Sequence, residues 1–153
     1  MKKNDLFTAE ITAMSAEGSG IAKIEGMAVF IPQTAPGDIA EIKIVKVKSR
    51  YAYGIVNRII SPSQQRADND CGAFRQCGGC VYRHIKYSEE CRLKSDRVAN
   101  AVKRIGKISL EPEHIIPAFH TERYRNKAQY PVSANGLVGF YATHSHRITE
   151  TDC

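Results

Sequence analysis

The stretch GIAKIEGMAVFI (Gly20–Ile31) decides the fold, because two short apolar segments lie on either side of Glu25-Gly26. Short segments of this kind, bounded by turn residues, are typical of β-strands. A glycine-containing pair between two such segments is typical of a tight hairpin turn. The stretch therefore predicts two neighbouring antiparallel strands.

Similar strands are predicted on both sides of this hairpin, at Leu6–Thr12, Ile39–Val47 and Tyr51–Ile60. Within Ile39–Val47 the apolar residues shift from even-numbered to odd-numbered positions at Val45, which indicates a β-bulge. Five short strands within residues 1–62 predict a small closed barrel of the OB type. The whole chain is predicted to be mainly β with one long helix.

The helix is predicted after the barrel, within a segment that spans residues 63–110. Ser88 is a predicted N-cap, and two glutamates in the first turn suit the helix dipole. Apolar residues recur at helical spacing up to the stop signal at Gly106. They are Cys91, Val98, Val102 and Ile105.

The last segment, residues 111–153, is predicted to form a β-hairpin. Tyr124–Val132 and Leu137–Tyr141 flank Asn135-Gly136, a strong signal for a short turn. Because a two-stranded hairpin is marginally stable alone, we expect it to be the start of a β-rich central domain that is incomplete in this sequence.

Three of the five cysteines lie in the stretch CGAFRQCGGC (Cys71–Cys80), around a doubled glycine. The N-terminus has no apolar signal region, and the apolar runs are too short to span a membrane, so we expect a cytoplasmic protein. A reducing compartment disfavours disulfides and favours a metal or catalysis. The residues alone leave open zinc with Cys91 or His84 as fourth ligand, an iron–sulfur cluster, a redox CxxC pair and unligated thiols. Cys91 also fits a small buried hydrophobe on the helix.

The charge predicts an acidic partner. The formal net charge is +6, and residues 61–110 hold 10 basic against 5 acidic residues. Lysines and arginines interleaved with tyrosines on barrel strands suit phosphates and unpaired bases, although a solvated strand face explains them equally well. The candidate RNA contacts are Lys43, Lys46, Lys48, Arg50, Tyr51 and Tyr53 on the barrel, Arg97 and Arg104 on the helix, and Arg125 and Lys127 on the last segment.

Several motifs in this order carry a family resemblance. Glu17–Lys23 (EGSGIAK), Val29–Pro32 (VFIP) and Pro36–Asp38 (PGD) resemble a TRAM domain, an OB-like RNA-binding barrel. The stretch CGAFRQCGGC and a following helix, with the later YRNKAQYPV (Tyr124–Val132) and GFYATHSH (Gly139–His146), resemble the 23S ribosomal RNA uracil-5-methyltransferases.

The resemblance implies a [4Fe–4S] cluster held by Cys71, Cys77, Cys80 and Cys153, and a monomer that binds 23S ribosomal RNA. It also implies that the parent enzyme uses S-adenosylmethionine, in a catalytic domain that this sequence lacks. We therefore expect this chain alone to be inactive as a methyltransferase. The alternatives are a stand-alone RNA-binding module stabilised by zinc or a cluster, and an iron–sulfur redox carrier.

Overall fold

The computed structural model describes residues 1–69, 71–110, 112–122, 124, 126–143 and 145–151. The chain forms two compact units. The first contains residues 1–67 and 84–115, and the second contains residues 68–83 and 116–153. The predicted middle segment, 63–110, is thus divided, with its helix in the first unit and its cysteine stretch in the second. No helix within the described ranges is long and apolar enough to cross a membrane.

The first unit is built on one six-stranded sheet. Its strands are β1 (Leu6–Glu10), β2 (Ala13–Met14), β3 (Gly20–Ile24), β4 (Met27–Ile31), β5 (Ile39–Val47) and β6 (Tyr51–Ser61). The order across the sheet is β1-β5-β6-β4-β3-β2, and all pairs are antiparallel except β4 with β6. The prediction of a mainly β fold with one helix is confirmed.

The predicted first strand, Leu6–Thr12, is present only as β1, which ends at Glu10, because the chain changes partner at Ile11 and continues as β2. The β1 strand pairs with β5, whereas β2 pairs with β3. At the corner the Ile11 amide donates to the Asp38 carbonyl at 2.8 Å, and the Thr12 amide donates to the Ile21 carbonyl at 2.9 Å. One continuous chain therefore links both edges of the sheet, which closes the barrel and leaves Ile11 fully buried.

The barrel core is formed by side chains at every second position of the strands. Inward positions are small or β-branched residues, which suit the interior of a narrow barrel. The core consists of Ile11, Ala22, Ile24, Val29, Ile31, Ala40, Ile42, Ile44 and Ala52. The predicted turn at Glu25-Gly26 is confirmed, since both residues have positive φ, at 50° and 81°, as a two-residue hairpin requires.

A buried carboxylate joins the barrel to the segment that follows it. Asp38 Oδ1 accepts from the Ser63 amide at 2.9 Å and from Arg66 Nε at 2.8 Å. Its Oδ2 accepts from the Ala35 amide at 2.6 Å and from an Arg66 Nη at 2.7 Å. Burial raises the pKa of Asp38, but the hydrogen bonds from Arg66, Ala35 and Ser63 outweigh it and hold the pKa below its usual range.

Next to this carboxylate, two short extended segments form a clasp, defined here as residues 65–67 and 84–86. The Ala67 amide donates to the His84 carbonyl at 3.0 Å, and the Lys86 amide donates to the Gln65 carbonyl at 2.9 Å. The imidazole of His84 is buried, with Nε2 3.0 Å from the Thr34 carbonyl. The clasp brings together the two points at which residues 68–83 leave and rejoin the first unit.

The helix α1 spans Tyr87–Arg104, and the predicted N-cap at Ser88 is wrong. The cap is Lys86, without a side-chain hydrogen bond, because the clasp holds that residue extended and the helix begins directly after it. Burial is confined to the start of the helix, at Glu89 and Cys91. The predicted apolar seam is therefore wrong over its second half, where Val98 is 54% and Ile105 is 83% exposed.

The second unit contains the strands β7 (Gly139–Tyr141) and β8 (Ile148–Glu150), which pair with each other. The predicted pairing of Tyr124–Val132 with Leu137–Tyr141 forms only in part: between the described parts of these segments, one bridge links Val132 to Val138, and the Tyr130 and Phe140 ring centroids lie 5.0 Å apart. The turn itself forms, with the Ser133 amide donating to the Leu137 carbonyl at 2.9 Å. Pro131 has no amide hydrogen and cannot extend the ladder beyond it.

Candidate nucleic-acid interface and cysteine loop

Three aromatic rings form a cluster on the outer face of the barrel, which we call the ring platform: Phe30, Tyr51 and Tyr53. The ring centroids lie 5.7 Å apart for Phe30–Tyr51, 6.0 Å for Phe30–Tyr53 and 5.5 Å for Tyr51–Tyr53. The two tyrosines were predicted as RNA contacts, whereas Phe30 was missed. The alternation of β4, in which Val29 and Ile31 are inward, is the signal that places Phe30 outside.

A β-bulge aims a lysine at this platform. The register of β5 with β6 passes from Ile44↔Gly54 to Lys46↔Tyr53, so Val45 is the extra residue, as predicted. Without the bulge, Lys46 would have the inward parity of Ile44. With it, Lys46 is exposed and lies directly opposite Tyr53.

Of the other predicted barrel cations, Lys48 and Arg50 lie near Lys46, at the end of β5 and the start of β6, whereas Lys43 does not. The Lys48 amide donates to the Tyr51 carbonyl at 2.8 Å, and Arg50 lies in the exposed turn between the two strands. Lys43 is half-buried and lies opposite Ile55, further along the strands. The structure thus brings Lys46, Lys48 and Arg50 to the two tyrosines and sets Lys43 apart.

Tyr53 is the most accessible member of the platform, with 41% of its surface exposed. A hydrogen bond with the Tyr51 side chain raises the pKa of Tyr53 above its usual range, and the Glu17 carboxylate adds to this. The phenol is therefore neutral at physiological pH. The neutral ring, edge-to-face with Tyr51 and tilted against Phe30, offers an apolar surface to a flat ligand.

The cations at the platform form no ion pair with described residues, unlike several other cations of the first unit. Arg58 pairs with Glu41 on the barrel, and on the helix Arg92 and Lys94 pair with acidic residues within four positions. Lys46, Lys48 and Arg50 have no ion pair within the described part of the chain. The exposed helix residues Arg97 and Arg104 are likewise not in ion pairs with described residues.

The remaining predicted contacts belong to the last segment. Lys127 is exposed and lies outside any strand, which corrects its predicted place on a central strand. Arg125 lies outside the described residues.

The cysteine loop, residues 71–80, is bound to the β7–β8 hairpin within the second unit. The Gly78 amide donates to the Tyr141 carbonyl at 2.9 Å, and the Thr143 amide donates to the Gln76 carbonyl at 3.1 Å. A Cβ atom on Gly78 would lie 2.9 Å from that Tyr141 oxygen, so the close approach requires glycine.

The donor set of this loop suits a thiophilic metal or an iron–sulfur cluster in its chemistry. Cys71 and Cys77 are half-buried, Cys80 is exposed, and the Gly79 amide donates to Cys77 Sγ at 3.3 Å, as amides do around metal-bound thiolates. Within the described residues, however, no three Cys, His, Asp or Glu side chains converge as a ready ligand set. Cys153, the predicted fourth ligand, lies outside those residues.

The two other residues considered as zinc ligands are in the first unit. Cys91 is buried on α1, as expected for a small buried hydrophobe. His84 has one ring nitrogen on the Thr34 carbonyl, and burial, the largest effect, lowers the pKa of its imidazole.

Comparison with known proteins supports the barrel and shows similarity to RNA methyltransferases. Residues 2–56 match the TRAM domain, which confirms the predicted resemblance of the barrel. The chain is 40% identical, over 99% of its length, to an uncharacterized RNA methyltransferase of Halalkalibacterium halodurans, of which it covers 34%. It is 36% identical, over 98% of its length, to an uncharacterized RNA methyltransferase of Clostridium tetani, of which it covers 33%. The chain thus spans about a third of the length of the curated relatives it matches.

A solved structure shares the fold. The crystal structure of Pyrococcus abyssi tRNA (uracil-54, C5)-methyltransferase in complex with S-adenosyl-L-homocysteine aligns with 95% of this chain, which covers 31% of that protein. The TM-score is 0.61 and the sequence identity is 22%, so the likeness concerns the fold alone.

Proposed function

We propose that this chain is the RNA-recognition and iron–sulfur portion of an S-adenosylmethionine-dependent enzyme that methylates C5 of a uridine in 23S ribosomal RNA. The observation that carries the proposal is the ring platform on a TRAM barrel, beside cations that form no ion pair with described residues. The similarity to uncharacterized RNA methyltransferases supports the reaction class. The choice of 23S RNA rests on the motif resemblance.

The barrel supplies the main RNA contacts in this proposal. Tyr51 and Tyr53 stack on bases, while Lys46, Lys48 and Arg50 contact phosphates, which neutralises charge and releases counterions. The proposal also includes contacts from Lys43 on the barrel, Arg97 and Arg104 on the helix, and Arg125 and Lys127 on the last segment.

The methyl transfer itself belongs to the parent enzyme. Uracil C5 is a poor nucleophile until a thiolate adds at C6 and interrupts the ring conjugation. C5 then takes the methyl group from the sulfonium of the donor, which leaves as a neutral thioether, and removal of the C5 proton by a base expels the thiolate. In the proposal, the attacking cysteine and the donor site lie in a domain outside these 153 residues, and none of the five cysteines present has that role. The target base must leave its stack to reach such a site.

The cysteine loop has a structural role in the proposal. Cys71, Cys77, Cys80 and Cys153 would hold a [4Fe–4S] cluster, which would cross-link the loop to the end of the chain. The hydrogen bonds from the loop to the β7–β8 hairpin support this, because β8 ends at Glu150, three positions before Cys153.

The cluster is tested by anaerobic purification with metal analysis and a visible spectrum. We expect a brown protein with broad absorption near ~400 nm and about four irons per chain. Cys153→Ser should lose that absorption, and Cys91→Ser, the matched control in the first unit, should keep it. A colourless chain that contains one zinc would contradict the cluster, and equal loss in both variants would contradict the ligand set.

The function is tested by the binding of a 23S ribosomal RNA fragment to the purified chain, measured by fluorescence anisotropy at several salt concentrations. We expect binding that weakens with salt, and no methyl transfer from S-adenosylmethionine to the RNA. A chain that binds no RNA at low salt would refute RNA recognition. A chain that methylates the RNA would refute the assignment of catalysis to another domain.

A further inference from the structure

The strand register arranges the ring platform in two rows across the sheet. One row runs Phe30–Tyr53–Lys46, through β4, β6 and β5. The second row runs Lys23–Ala28–Tyr51, through β3, β4 and β6. Each row thus combines a tyrosine with an exposed lysine, and the two lysines stand at opposite sides of the rings.

Lys23 and Phe30 have no role in the RNA contacts named so far. Lys23 is exposed on the outer face of β3, and it forms no ion pair with any residue that the structure describes. Between it and Tyr51 the row holds only Ala28, whose side chain is small. Phe30 contacts both tyrosines and fixes the positions of their rings.

We propose, building on the RNA-binding function above, that this face binds unpaired RNA whose backbone crosses the sheet from Lys23 to Lys46, with bases on the ring platform. The ligand class follows from the rings. The bases of a duplex are covered by their neighbours at about 3.4 Å per step, so a sheet face cannot stack on them, whereas unpaired bases present open faces. The Tyr51 and Tyr53 rings are nearly perpendicular, with an interplanar angle of 88°, so bases stacked on them are not stacked on each other.

A surface of cations alone would bind duplex and single strands alike, because phosphates carry no information about pairing. The platform therefore predicts a difference between two forms of one RNA. A labelled single strand of about ten nucleotides, within the usual site size of an OB fold, is compared with the same strand annealed to its complement. By anisotropy at fixed salt, we expect the single strand to bind about tenfold more tightly.

The ring and charge contributions are separated with variants of the full chain. Tyr53→Leu should weaken single-strand binding about tenfold without changing its salt dependence, and Tyr53→Phe should retain the binding. Lys23→Gln should reduce the slope of log affinity against log salt by about 0.7. Lys94→Gln is the matched control, because that lysine is already paired with Glu90. Its slope should match that of the unaltered chain.

A variant that is expected to gain affinity for RNA provides a further control, because misfolding would reduce binding and could not increase it. The Glu17 carboxylate acts on Tyr53 and opposes an approaching phosphate. Glu17→Gln should therefore tighten single-strand binding severalfold. This inference would be overturned if the chain bound the single strand and the duplex with equal affinity, or if Tyr53→Leu weakened the binding of both equally. Either result would leave RNA recognition itself intact. Failure to bind either form would overturn both.

Discussion

Asp38→Asn tests whether the buried carboxylate holds the segment after the barrel in place. The carboxylate accepts four hydrogen bonds, two on each oxygen, from two backbone amides and from Arg66. An asparagine has one oxygen and one NH2 group. Whichever way the amide is turned, two donors then face another donor, and the guanidinium loses its counter-charge.

The expected cost follows from the burial of the pair. Removing one partner of a buried ion pair destabilises a protein by about 3–5 kcal/mol, and we take about 3 because a quarter of the Arg66 side chain is exposed. In a unit of this size that lowers Tm by at least about 12 °C. The measurement is urea and thermal unfolding followed by circular dichroism.

The matched control is Asp96→Asn, the same substitution at the exposed ion pair with Arg92 on α1. Exposed pairs contribute at most about 1 kcal/mol, so this variant should unfold close to the unaltered chain. If the two variants lost the same small amount of stability, the carboxylate would not hold the segment, and the reasoning from buried hydrogen bonds would be refuted.

The same carboxylate predicts a pH dependence. The pKa of Asp38 is lower in the folded state than its ordinary value of 3.8. The contribution of the ionised carboxylate to the free energy of unfolding is therefore complete above pH 3.8 and is lost as pH falls through the lower folded value. The stability gap between the unaltered chain and Asp38→Asn should therefore be constant from pH 7 to about pH 4 and should narrow below it. A gap that narrows already near neutral pH would contradict the assignment to this group.

Two further predictions concern the histidine of the clasp and the glycine of the cysteine loop. Burial lowers the pKa of His84, so unfolding measured against pH should show stability falling as pH drops below 6.5, and His84→Gln should remove this step. Gly78→Ala should lower the hydrogen-exchange protection of the β7–β8 hairpin, because its Cβ would collide with a backbone oxygen. Gly72→Ala in the same loop, where no atom lies within 4 Å of the added Cβ, should leave protection unchanged.

The barrel could be predicted from the sequence because its signals are local and agree with one another. The hairpin turn, the apolar alternation and the parity change at Val45 each have a direct structural cause, and all three are confirmed. The partner change at Ile11 was not predicted. The pairing of β1 with β5 is distant in sequence, whereas β2 pairs with β3 across a short loop, and alternation within Leu6–Thr12 cannot show where one partner replaces the other.

The errors in helix and hairpin also have a common physical source. Ser88 is a good N-cap by type, but the clasp already fixes Lys86 as the last extended residue, so tertiary contact overrides the local preference. Asn135-Gly136 does make a turn, yet a turn specifies a hairpin only where both flanking segments can pair. Pro131 prevents this on one side, and β7 pairs with β8 instead.

The candidate site shows the same limit at the level of single side chains. Tyr51, Tyr53 and Lys46 are close in sequence, and composition alone identifies them as a group. Phe30 and Lys23 lie more than twenty positions away from these tyrosines and reach the platform only through the pairing of β3 with β4 and of β4 with β6. A parallel pair such as β4–β6 has no local sequence signal, so these contacts required the fold.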